Sequence, residues 1–261
     1  VKDKILFDGQ NVVIADVKGN INIYSIEKKD IIYKYNFYKN KFKKVKKNLN
    51  IIIEKSIIYA SDNLGYLYAI DYKNKELLWA KNLKIPFRSN IKIFKNKIIT
   101  ADQNNTLYFF DKFDGTQLKF IPTEETIIKS NFVNSIALHR DSLIYLNTFG
   151  SLYSIDNKNS KINWFVNLKQ SFDLNPTNIF YSNPVVVFKN KIILSTDPYL
   201  YILNTNNGSV VFKTSITSIV KPVISGNNLF VITKDNLLVC INLGTGKIIY
   251  SLNISKEIAD F

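Results

Sequence analysis

The 261 residues contain one histidine, one cysteine and no methionine. His139 falls in a turn, His139–Ser142, matched elsewhere in the chain by Lys95-Asn96, Lys189-Asn190 and Gly226-Asn227. A hydrolytic triad or a histidine-rich metal site is therefore excluded by count and place. Cys240 stands in a short run, VCIN, where related runs carry Ala69 and Ser154. It reads as a small packing residue; no disulfide can form within the chain, and cysteine usage does not report a compartment. Gly-rich phosphate loops are missing. There is no apolar run long enough to cross a membrane as a helix, and no segment with helical periodicity. Without methionine the native start is not in view, so a signal peptide or lipid-anchor segment is compatible with the sequence.

What is present is a repeat. A short strand ending in Asp, Asn or Ser returns six times, with anchors at Ser25, Asp71, Asp111, Asp156, Asn204 and Asn242, at intervals of 38 to 48 residues. An aromatic follows each anchor by eight residues: Tyr33, Trp79, Trp164, Phe212 and Tyr250, slipping to Phe120 in the third repeat. A period of about 43 residues built from short strands is the signature of a β-propeller, one blade per repeat. Each repeat reads as four strands of four to six residues, β-branched or aromatic, bounded by Asn, Asp, Gly or Lys. The expected fold is all-β: one propeller domain over 1–261, with six four-stranded antiparallel blades at about 4–37, 50–83, 90–120, 133–168, 183–216 and 221–254. The sixth repeat holds all four of its own strands, so no exchanged strand is expected. The recurring aromatics read as packing between neighbouring blades.

The turn before each third strand opens with Asp16, Asp62, Asp102, Asn147, Asp197 or Asp235. A calcium loop needs several closely spaced oxygen ligands. One acid per turn instead describes an Asx turn that closes a hairpin, and neither metal nor other cofactor is expected.

Formal net charge is +14, from 35 Lys and Arg against 21 Asp and Glu. Abundant Lys, Asn and Ile would follow from an AT-rich genome. The charge is nevertheless densest at Lys39, Lys41, Lys43, Lys44, Lys46 and Lys47, between the first two repeats. That cluster reads as a solvated loop or as a surface for anionic headgroups or an acidic partner. It lacks the interleaved Arg and aromatics of a nucleic-acid site, so no nucleic-acid partner is expected.

The phrases LYAIDYKNKELLW (Leu67–Trp79) and LYSIDNKNSKINW (Leu152–Trp164) resemble the pyrroloquinoline-quinone-type propeller repeat, and the resemblance extends over all six repeats. The quinoprotein alcohol dehydrogenases of that superfamily are much longer and typically carry adjacent cysteines, which this chain lacks. The long connection LKQSFDLNPTNIFYS followed by NPVVVFKNKIIL (Leu168–Leu194) is similar to the BamB-like lipoproteins of outer-membrane β-barrel assembly. That resemblance implies a non-enzymatic periplasmic scaffold, usually eight-bladed, lipid-anchored at the outer membrane, whose protein partner is the BamA-like barrel-assembly subunit. It implies contacts through this connection and the one a blade earlier. The residues concerned are Ile127, Ile128 and Lys129, with Ile128-Lys129 similar to the family's Leu-Arg pair, and Phe172, Leu174, Ile179, Phe180 and Tyr181. Tyr181, Ser182 and Asn183 stand where the family places acids. Two further readings stay open: a ligand-binding or enzymatic propeller using its central funnel, and a binder of anionic membrane surfaces through the lysine cluster.

Overall fold

A computed structural model describes residues 4–38, 42–127, 134–169 and 179–259. Among these residues 24 strands form six four-stranded antiparallel sheets. The first sheet is β1 (Lys4–Phe7), β2 (Asn11–Ala15), β3 (Asn20–Ser25) and β4 (Asp30–Asn36). The second is β5 (Asn50–Glu54), β6 (Ile57–Ser61), β7 (Tyr66–Asp71) and β8 (Glu76–Asn82). The third is β9 (Lys92–Phe94), β10 (Lys97–Ala101), β11 (Leu107–Asp111) and β12 (Gln117–Ile121). The fourth is β13 (Ser135–His139), β14 (Ser142–Leu146), β15 (Ser151–Asp156) and β16 (Ile162–Asn167). The fifth is β17 (Val186–Phe188), β18 (Lys191–Ser195), β19 (Leu200–Asn204) and β20 (Val210–Thr214). The sixth is β21 (Val223–Ser225), β22 (Asn228–Ile232), β23 (Leu237–Asn242) and β24 (Ile248–Asn253). In every sheet the strands neighbour one another in chain order, so no sheet borrows a strand. A short helix, α1 (Ser255–Ala259), follows β24; no apolar periodicity announces it.

The chain divides into two compact units. The first holds β1–β12. The second holds β13–β24 together with Glu124–Ile127.

Within each sheet, composition follows burial. The second and third strands of the second to fifth sheets are buried on both faces, and read as near-continuous apolar runs such as KIITA and LYFFD. The fourth strands are largely exposed: β8 buries one residue of ELLWAKN, Trp79. The eight-residue step from anchor to aromatic is set by a β-bulge that recurs two residues before the anchor in all six sheets. It inserts one extra residue into the fourth strand and brings Tyr33, Trp79, Trp164, Phe212 and Tyr250 opposite Ile23, Ala69, Ser154, Ile202 and Cys240.

The third sheet departs from the expected slip. Lys119, not Phe120, faces Phe109 at the shared position; Phe120 pairs with Tyr108 and is 54% exposed. Register, rather than nearest aromatic, decides the face.

The inter-sheet role of the aromatics is geometric. A Cβ on Gly115 would lie 2.5 Å from the Trp79 ring, one on Gly208 2.7 Å from Trp164, and one on Gly246 2.4 Å from Phe212. Each ring thus lies flat under the third turn of the next sheet, where φ is positive and no side chain fits. The indoles also donate across the gap: Trp79 Nε1 to the Lys112 carbonyl and Trp164 Nε1 to the Thr205 carbonyl, both at 3.1 Å.

The acidic turns are closed by backbone amides. Asp62 Oδ1 accepts from the amides of Leu64 and Tyr66, and Asp102 Oδ1 from Asn104 and Thr106. Asp16 and Asn147 do the same. Asp197 and Asp235 do not hold this place. In the sixth sheet Thr233 Oγ1 accepts from Leu237, and in the fifth Thr196 Oγ1 donates to the Tyr199 carbonyl across a shorter turn. The Thr233 hydroxyl takes the acceptor place of an Asx oxygen; the Thr196 hydroxyl, a donor, closes its turn differently.

Candidate partner-binding rim

In four of the six sheets the segment leaving the fourth strand folds back onto its own sheet's second turn. Leu83 donates its amide to the Gly65 carbonyl, Leu168 to Gly150, Lys47 to Val17 and Ile254 to Asn236, each at 2.9 Å. Connections and second turns therefore share one rim of each of these sheets.

In the second unit two connections meet on one turn, Asn147–Gly150. From the preceding connection, Thr126 Oγ1 lies 3.3 Å from Thr148 Oγ1. Glu124 accepts from Asn147 Nδ2 at 3.1 Å and from the Tyr153 hydroxyl at 2.5 Å. Burial and this carboxylate push the Tyr153 phenol above its ordinary value, so it stays a neutral donor. From the following connection, Phe180 donates its amide to the Thr148 carbonyl at 2.8 Å. Its ring rests 2.9 Å from where a Gly150 Cβ would stand. Lys169 Nζ sits 4.7 Å above the Phe149 ring. One short turn thus gathers both connections that the sequence singles out.

Their side chains divide. Ile127 is 68% exposed and Tyr181 51%. Ile179 and Phe180 are half-buried, and Phe180 packs against the core cluster of Leu168 and Val185. Ile128, Lys129, Phe172 and Leu174 lie outside the described residues.

With this geometry in view, the sequence matches the family described as outer membrane protein assembly factor BamB over residues 43–252. The chain belongs to that family. Among solved structures, BamB from Moraxella catarrhalis superposes with a TM-score of 0.78 at 15% identity, covering 95% of this chain and 75% of that one. The β-propeller domain of Myceliophteria thermophila Cps50 (Swd1) gives 0.65 at 11% identity, covering 96% and 86%. The computationally designed Ika8 protein gives 0.62 at 10%, covering 95% and 86%. The six sheets are propeller blades. A curated protein, pre-mRNA-splicing factor RSE1 of Candida albicans, is 33% identical over 100 residues; the match covers 37% of this chain and 8% of that protein's length.

The lysine cluster of this BamB-family chain is smaller than its sequence promises. Lys43, Lys44 and Lys46 are exposed, and Lys39 and Lys41 lie outside the described residues. Lys47 does not belong to the surface: it is 4% exposed, its Nζ donates to the Phe42 carbonyl at 2.5 Å, and it sits 5.0 Å from the Tyr38 ring centroid. The carbonyl and ring compensate the buried ammonium. Sequence could not show this, because the lysine run carries no period. Nearby, Tyr38 donates to Asp62 Oδ2 at 2.5 Å. Burial raises the Asp62 carboxyl above its ordinary 3.8, outweighing the bonds from Tyr38 and the turn amides.

For small molecules, the first two sheets leave an open recess of about 590 Å³ bordered by Asp8, Lys55, Tyr72 and Lys73. Asp8 is already bound by Asn11 Nδ2, two amides and the Tyr72 hydroxyl. Those bonds lower its pKa against a raising effect of burial, and they leave it a structural acceptor rather than a proton shuttle. Among the described residues no group of three or more His, Cys, Asp or Glu gathers to hold a metal, and no helix is long and apolar enough to cross a membrane.

Proposed function

We propose that this chain is a non-enzymatic periplasmic scaffold of outer-membrane β-barrel assembly. Its protein partner is the barrel-inserting, BamA-like subunit, held on the rim around Asn147–Gly150. The family description supports the process. One observation carries the surface: two successive connections are pinned to one turn and leave Ile127 and Tyr181 exposed beside it. Exposed apolar and aromatic side chains on a rigid base are the usual anchors of an interface, and a turn held by core contacts preorganises them at little entropic cost.

Affinity capture from native membranes tests the reading. The wild-type chain should recover a barrel-assembly subunit, and Ile127→Asp with Tyr181→Asp should lose it while keeping the wild-type thermal midpoint. Full capture by the folded double variant would contradict it.

A further inference from the structure

First and third turns share the other end of each sheet. Ile26 donates its amide to the Gln10 carbonyl in the first sheet at 3.2 Å, and Tyr72 to the Ser56 carbonyl in the second at 3.1 Å. Between these turns, away from the second turns of the same sheets, lies the open recess of about 590 Å³. One bond spans its base: the Tyr72 hydroxyl donates to Asp8 Oδ2 at 3.3 Å. One sheet further on, the residue at the same place, Lys112, reaches back to Glu54 in the same way.

The walls of the recess are fixed and its charge is unbalanced. Ile53 and Tyr72 belong to the core packing of the first two sheets. Phe7, 63% exposed, adds an apolar wall. The Asp8 carboxylate is shared among four donors: the Gln10 and Asn11 amides, Asn11 Nδ2 and the Tyr72 hydroxyl. Lys55 and Lys73 border the recess and are exposed. Among the described residues neither ammonium takes part in an ion pair or a hydrogen bond, whereas Lys112 is held by Glu54 at 2.7 Å. Two uncommitted ammonium groups thus stand against one carboxylate whose charge is already spread over its donors, and the field of the recess favours an anion.

We propose that this recess binds a phosphomonoester, with the phosphate between Lys55 and Lys73 and the organic group against Phe7 and Ile53. The volume falls in the range of small-molecule sites, about 300–1,000 Å³. The cations select the anion. Lysine acts as a compact point charge suited to phosphate, whereas a planar carboxylate is matched by the arginine fork, and no arginine borders the recess. The Ser56 hydroxyl, also at its border, adds a neutral donor. The apolar wall favours an ester over inorganic phosphate, because only the ester brings a group that Phe7 and Ile53 can remove from water. The proposal is independent of the partner rim, which lies on the fourth sheet.

Isothermal titration of the 261-residue chain at low salt with phenyl phosphate, inorganic phosphate and phenol tests it. Phenyl phosphate should bind saturably at one site and more tightly than either of the others. Lys55→Gln with Lys73→Gln should weaken it at least about tenfold at an unchanged thermal midpoint. Phe7→Ala should bring it down to the level of inorganic phosphate. A chain of net charge +14 attracts anions everywhere, so Lys28→Gln with Lys29→Gln, exposed on the third turn of the first sheet and outside the recess, is the control and should change nothing. Competition by phosphatidic acid vesicles would assign the phosphate to a lipid headgroup, and no competition would assign it to a free ester. Absence of saturable binding, equal binding of phenol, or equal losses in the two lysine pairs would overturn the proposal.

Discussion

Substituting Gly208 by alanine isolates the contact that joins one blade to the next. Two costs are expected. The position has φ +72, a left-handed conformation that costs a residue with a Cβ about 1 kcal/mol. The new methyl would also stand 2.7 Å from the Trp164 ring and 2.8 Å from a Val166 methyl. The ring cannot retreat without breaking its bond to the Thr205 carbonyl, and overpacking of this kind costs about 1–3 kcal/mol. Gly226 is the control: its φ is +59, and nothing lies within 4 Å of where its Cβ would stand, so Gly226→Ala should show the conformational cost alone. Urea unfolding should give a loss of about 2–4 kcal/mol for Gly208→Ala and about 1 kcal/mol for Gly226→Ala. A cycle with Trp164→Ala adds a second check. With the ring gone, the cost of Gly208→Ala should fall to the conformational part, a coupling of about 1–3 kcal/mol. Equal losses at the two glycines, or additive losses in the cycle, would refute the packing account.

Asp62→Asn should flatten part of the pH dependence of stability. Burial raises the folded-state pKa of Asp62, so its favourable contribution is present below the unfolded value of 3.8 and is lost as pH rises through the folded value; Asn147 already fills the equivalent turn in the fourth sheet. Urea midpoints between about pH 4 and 8 check this, and an unchanged profile would remove Asp62 as its source. Phe180→Ala should cost about 2 kcal/mol, less than a fully buried phenylalanine, because its ring is half-buried on Gly150; a loss near zero would make it a surface anchor instead. Glu54→Gln breaks the 2.7 Å pair with Lys112, in which the Glu54 and Lys112 side chains are 38% and 15% exposed, and should cost no more than about 1 kcal/mol, shrinking in high salt; a larger, salt-insensitive loss would contradict this.

The blades were legible because their signals are local. Short β-branched strands, Asx turns and the anchor-to-aromatic step are written in consecutive residues, and the structure places Trp79 and Trp164 between sheets as their spacing implies. Signals that depend on a neighbour were not legible. Lys119 takes the inter-sheet position of the third sheet because a bulge sets the register, whereas sequence points to the nearest ring, Phe120. Thr233 closes the last acidic turn in place of Asp235, since only the hydrogen-bond partner, Leu237, distinguishes them. Lys47 reads as one lysine in a run until the Phe42 carbonyl and the Tyr38 ring are brought to it. In the candidate rim, sequence names Phe180 and Tyr181 together, and adjacency in an irregular segment cannot say which turns in; the cradle of Gly150 takes Phe180 and leaves Tyr181 outside. The convergence of both connections on Thr148 is likewise a tertiary fact, carried by backbone and hydroxyl groups that have no sequence signature.

Site-specific photocrosslinking in cells tests the central claim most directly. A photoreactive residue at Ile127 or Tyr181 should give an adduct with the barrel-inserting subunit, and one at Ile162 or Val210, exposed at the starts of β16 and β20 beside the third turns, should give none. Adducts confined to positions 162 and 210, or none from a folded chain at 127 and 181, would contradict the account.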